Sequence, residues 1–130
     1  MTVGPHTHTP ASTGLHDAYA QDLALYQEKF RRRLPASLGE LRGPSRGIVE
    51  LPQHVAWSGM TAYDLDRPRQ RMGLYRTVLH EGGREELTAF LDQGLLLQMW
   101  PVLRTLVGRT VRTVWEDAFP QLAHRAQAAA

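Results

Sequence analysis

From Leu15 onward the apolar residues fall at Leu15, Tyr19, Leu23, Tyr26, Phe30 and Leu34, spaced by four, four, three, four and four. That spacing keeps one face of a 3.6-residue helix apolar, and Pro35 ends it, so the pattern predicts a helix over 15–33. Lys29, Arg31, Arg32 and Arg33 crowd its last turn, where positive charge suits the negative end of the helix dipole. The stretch PASLGELRGPSR (35–46) reads as a short helical turn and a Gly-Pro loop. Beyond it the period changes to two. Ile48, Val49 and Leu51 predict one short strand before Pro52, Val55 to Trp57 a second closed by Ser58-Gly59, and Tyr63 with Leu65 a third.

Helical spacing resumes at Asp66-Arg67-Pro68. An aspartate able to cap free amides followed by proline in the first turn predicts a helix start, and Gly82-Gly83 a stop, giving a helix over 68–81 with Met72, Tyr75, Val78 and Leu79 on one face. A further helix spans Glu85 to Leu91, and Asp92 is placed to cap another from Gln93. Pro101 is expected to break or kink the apolar segment Leu95–Val107. Val111, Val114, Trp115, Ala118 and Phe119 form a last periodic set stopped by Pro120. The fold class expected is therefore α+β, mainly α: helices around a two- or three-stranded antiparallel sheet at 47–65, within a single domain over 15–122. Residues 1–14, rich in Thr, Pro and Gly, are expected as a flexible tail, and 123–130 as an alanine-rich tail.

The 130 residues suffice for one modest core, and 42% hydrophobic with 22% charged residues is ordinary globular usage. No cysteine is present, which excludes disulfides, thiolate-bound zinc and thiol nucleophiles. No apolar run is long enough to cross a bilayer, and the N-terminus lacks the pattern of a secretory signal, so cytoplasmic residence without a membrane is expected. Net charge is only +2, too small for the footprint of a dedicated nucleic-acid binder.

Candidate chemistry is sparse. Asp64 and Asp66 alternate as a strand would present them, and so could share a magnesium ion in phosphoryl or nucleotidyl transfer; a helix cap at Asp66 and a turn residue at Asp64 explain the spacing with fewer assumptions. Ser58, His54 and Asp64 hold the residue types of an acyl-transfer triad without the serine elbow that presents the nucleophile. His80 at a helix end is expected to bond the last carbonyls. His6 and His8 lack further ligands for a metal. No phosphate-cradling glycine motif and no H-E-x-x-H occurs, so neither a catalytic residue, a metal nor a cofactor is assigned. The residues best suited to a contact surface are Tyr19, Tyr26 and Phe30 of the first helix, together with Arg67, Arg69, Arg71 and Arg76 flanking the apolar face of helix 68–81. They suit a protein partner or a second copy of the chain, and the arginines also suit nucleic acid.

The words LPQHVAWSG, YDLDRPRQRMGLYRTVLHEG and LLLQMWPVLRTLVGRTVRTVWEDAFPQL resemble a group of small uncharacterised proteins of Streptomyces and related actinobacteria, a resemblance that covers roughly residues 34 to 122. The resemblance implies a gene placed beside nucleotidyltransferase toxins of the AbiEii type, hence a non-enzymatic, antitoxin-like regulatory protein that binds such a partner. It transfers no residue role. Unlike the winged-helix antitoxins of abortive-infection systems, the chain shows no clear N-terminal helix-turn-helix. A DNA-binding regulator is the second expectation, and a metal-dependent transferase the third.

Overall fold

The computed structural model describes the backbone of residues 4–56 and 59–129, and side chains from residue 17 onward within those ranges. Six helices and a two-stranded sheet follow in the order α1 (Gly4–Arg31), β1 (Ile48–Glu50), β2 (Ala62–Asp64), α2 (Pro68–Glu81), α3 (Arg84–Phe90), α4 (Gln93–Leu106), α5 (Gly108–Ala118) and α6 (Pro120–Ala129), with a 3-10 turn at Leu38–Glu40. The protein is thus α+β and mainly α. Among the described residues no helix is long and apolar enough to cross a membrane.

α4 occupies the centre. Its sequence QGLLLQMWPVLRTL is apolar almost all round, so it can be stable only when surrounded, and α2, α5, α6 and the 3-10 turn all pack against it. Leu96, Met99, Trp100 and Leu103 are buried there, and the core continues through Tyr75, Val78 and Leu79 of α2 and Val111, Val114 and Trp115 of α5. α1 lies against α5. Gly108 opens α5 at φ 82, the left-handed region that glycine enters without steric penalty, which lets the chain reverse directly after α4.

β1 and β2 pair antiparallel with Ile48 opposite Asp64, Val49 opposite Tyr63 and Glu50 opposite Ala62. Val49 and Tyr63 turn into the core while Ile48 and Glu50 face out, and β2 rests on α2. Of the second strand expected at Val55–Trp57, the described residues Val55 and Ala56 are not in a strand, and Trp57 lies outside the described residues. After Pro52 the chain turns helically, with the amides of Val55 and Ala56 both donating to the Pro52 carbonyl at 3.0 and 3.1 Å, and this turn buries Val55 and Ala56 without a ladder.

Two reciprocal sets of hydrogen bonds lock the end of α1 to the α2–α3 junction. Arg33 Nη1 donates to the His80 carbonyl at 3.0 Å, and Arg84 donates through Nε to Leu34 O and through Nη2 to Arg32 O, each at 3.1 Å. Each arginine so satisfies carbonyls that a helix end leaves open. α3 starts with the Glu86 carboxylate accepting from the Gly83 amide at 2.7 Å, and α4 with Asp92 Oδ2 accepting from the Leu95 amide at 3.0 Å, the cap expected of Asp92.

Three further expectations need correction. Asp66 does not cap α2: Arg67 holds the N-cap position without a side-chain bond, and Asp64 Oδ1 accepts the Asp66 amide at 3.0 Å in a local turn. α4 runs through Pro101. The carbonyl of Leu97, which a proline four residues later cannot serve, instead accepts from Arg125 Nε of α6 at 3.2 Å. The two expected tails carry helical backbone, α1 from Gly4 and α6 to Ala129. Pro5 sits in the first turn of α1, where its missing donor costs nothing, and the alanines of α6 have the highest helix propensity.

Candidate functional site

Of the acidic pair of 64 and 66, the Asp64 carboxylate is taken up by local structure. Besides accepting the Asp66 amide, Asp64 lies 3.6 Å from Arg67 Nε, and its own amide donates to Gln70 Oε1 at 2.7 Å; Asp66 is exposed. Among the described residues no group of three or more His, Asp or Glu side chains is arranged to hold a metal ion. His54 meets Glu86 at 3.4 Å and not Asp64, so the triad types are not assembled around it. Ser58 and Trp57, and the side chains of His6 and His8, lie outside the described residues.

The four arginines of the 67–76 region divide. Arg67 and Arg69 are exposed at the start of α2, and Arg76 is exposed two turns on, on the same flank as Arg69. Arg71 folds back instead. Its Nη1 donates to the Leu65 carbonyl at 3.3 Å, and its Nε is buried without a hydrogen-bond partner among the described residues. Its role is to close the β2–α2 turn, so Arg71 leaves the contact surface expected of it.

Beside Arg76 lies a cleft of about 480 Å³ between α2 and the chain that links the two strands, bordered by Met60, Tyr63, Arg76, Thr77, His80 and Glu81. Gly73 also lines it, where a Cβ would rest in ordinary contact with the Tyr63 ring at 3.4 Å. The Tyr63 hydroxyl lies 3.4 Å from Thr77 Oγ1, and His80 Nδ1 lies 3.0 Å from the Arg76 carbonyl, as expected for a histidine at a helix end. Nothing in the sequence pattern pointed to this cleft, because its walls come from two segments, 55–63 and 73–81, whose packing against each other the periodicity of neither one specifies.

α1 offers the more distinctive surface. Residues 17–26 are all exposed, and they include Tyr19 at 72%, Leu23 at 40% and Tyr26 at 46% of full exposure. Phe30, expected on the same contact face, is buried at 3%. The stripe therefore enters the domain at its C-terminal end and leaves it at Tyr26. The two rings meet edge to face with centroids 5.2 Å apart, and Lys29 Nζ lies 5.8 Å from both centroids. Exposed Ile48 and Met60 were not anticipated as surface features; the alternation of β1, with Val49 inward, carried that information for Ile48. No family model matches the chain, and no characterised protein or solved structure is significantly similar to it.

Proposed function

We propose that the chain is a non-enzymatic, antitoxin-like regulatory protein that binds a protein partner in the cytoplasm. Its contact surface combines Tyr19, Leu23 and Tyr26 of α1 with the exposed Arg67, Arg69 and Arg76 of α2. One observation carries the reading: large aromatic and aliphatic side chains stand in solvent on a helix whose next apolar position, Phe30, is core. Rows of exposed aromatic residues on an ordered helix are costly to leave wet and are the usual anchors of helix-mediated recognition. The arginine flank suits an acidic partner such as a nucleotidyltransferase-type toxin.

Co-expression with the product of the adjacent gene tests this reading. The tagged chain retains that product, and Tyr19→Ala/Tyr26→Ala weakens retention by on the order of tenfold or more. Absence of retention by the unaltered chain counts against it. The guanidinium groups of Arg69 and Arg76, which have no ion-pair partner among the described residues, support a second reading in which the chain binds DNA. Its mark is affinity that falls steeply with salt and is lost with alanine at both positions.

A further inference from the structure

The exposed row on α1 has the spacing of a helix seam. Tyr19, Leu23, Tyr26 and Phe30 step by four, three and four residues, which is the alternation of d, a, d and a positions in a heptad. With that register Asp22 and Lys29 fall at the flanking g positions, and Ala20 and Gln27 at the e positions. Neither Asp22 nor Lys29 has an ion-pair partner among the described residues, whereas Glu28, outside the seam, is satisfied by Arg31 at 3.2 Å and Arg32 at 3.4 Å.

These charges select an orientation. In an antiparallel pair, g positions face g positions, so two-fold symmetry sets Asp22 against Lys29 of the second copy and Lys29 against its Asp22. In a parallel pair, g faces e of the next heptad, so Asp22 meets Gln27 and Lys29 meets Leu34, and no opposite charges are joined. The apolar row also maps onto itself when reversed: Leu23 faces Tyr26, and Tyr19 faces the end where Phe30 enters the core.

We propose that this chain pairs with a second copy of itself through α1, antiparallel, with Tyr19, Leu23 and Tyr26 in the seam and Asp22 paired to Lys29 across it. The proposal rests on the protein-binding reading and names the occupant of its α1 surface. A seam of this length, roughly 17 Å of helix, is marginal for free peptides. Here the helix is already fixed by Phe30 in the core and by its packing on α5, so association does not bear the ordering cost. Tyr26, braced edge-on against Phe30, serves as a rigid anchor at the inner end.

The test is light scattering on the full chain over a dilution series, with Asp22→Lys, Lys29→Asp and the double exchange; all replace exposed side chains. The expected mass is twice the 14.7 kDa of one chain. Each single exchange opposes like charges at both symmetric contacts and raises the dissociation constant by about tenfold, and the double exchange restores it. A chain monomeric at every concentration, or a dimer indifferent to the exchanges, overturns the proposal. Retention of the adjacent gene's product by a chain that stays monomeric overturns self-pairing alone, and a chain that stays monomeric and retains nothing overturns the protein-binding reading with it.

Discussion

The indole Nε1 of Trp100 donates to Glu116 Oε2 at 2.8 Å, and this bond ties the central helix α4 to α5. Arg104 completes the group from one turn further along α4, with Nε 2.7 Å from the same oxygen and Nη2 3.3 Å from Oε1. Partial burial pushes the Glu116 carboxyl up, but the hydrogen bonds from Arg104 and Trp100 and the charges of Arg104 and Arg112 outweigh it, holding the group below the ordinary glutamate range. A depressed carboxylate contributes stability that is present above its unfolded pKa and lost as pH falls through its folded one. Denaturant titrations should therefore show Glu116→Ala costing about 2 kcal/mol at neutral pH. Glu116→Gln should flatten the acid-side loss of stability; an unchanged acid limb would show that Glu116 is not its source.

Tyr75 behaves in the opposite direction. Burial raises its hydroxyl to about 12, although the Asp92 amide, which donates to that oxygen at 2.8 Å, lowers it again in part. A raised tyrosine is stabilising below its unfolded pKa, and that contribution disappears as pH rises from about 10 towards 12. Tyr75→Phe leaves the Asp92 amide without its acceptor and should cost about 1–3 kcal/mol. Following tyrosinate absorbance during alkaline unfolding checks the assignment: one tyrosine should ionise together with loss of the fold, and in Tyr75→Phe that step should be gone.

The bond from Arg125 to the Leu97 carbonyl is required only because residue 101 is proline. Arg125→Ala should cost about 1 kcal/mol in the native chain. In a Pro101→Ala background residue 101 can supply its own amide to that carbonyl, and the same change should cost close to nothing. A double-mutant cycle with equal costs in both backgrounds would mean that Arg125 serves some other contact.

Gly43 lies against the end of α3, its amide donating to the Leu91 carbonyl at 2.8 Å beside the bond from the Arg42 amide to Thr88 O at 2.9 Å. A Cβ at this position would stand 2.6 Å from the Phe90 carbonyl oxygen and 2.7 Å from the Leu91 nitrogen, both backbone atoms that cannot swing away. Gly43→Ala should cost about 2–3 kcal/mol. Gly39→Ala, with nothing nearer than Ser37 Oγ at 3.6 Å, is the control and should change the melting temperature little.

Where local chemistry determines an element, the sequence was readable. α2 begins at Pro68 and ends before Gly82-Gly83 as its punctuation indicates, and the Asp92 cap and the α5 stop at Pro120 follow from short-range rules. Failures arise where a bond that periodicity does not encode decides. Val55–Ala56 has strand composition but is buried by a local turn hung on the Pro52 carbonyl. Pro101 is expected to break or kink α4; the helix is not broken, and Arg125, 24 positions away, satisfies the orphaned carbonyl. At the candidate surface, periodicity placed Tyr19, Tyr26 and Phe30 on one stripe, but one-dimensional spacing does not say where a stripe dives into the core. Arg71 was indistinguishable from Arg67, Arg69 and Arg76 until the Leu65 carbonyl was found beside it.

The anchoring of α1 has a mechanical consequence. A rod exposed over residues 17–26 and held by Phe30, Arg33 and the bonds from Arg84 is a lever with its fulcrum at one end. Torque applied near Tyr19 reaches the carbonyls of His80 and Leu34, where α2, α3 and the cleft beside Arg76 converge. Whatever grips the free arm pulls directly on the joint that sets the angle between α1 and the rest of the domain.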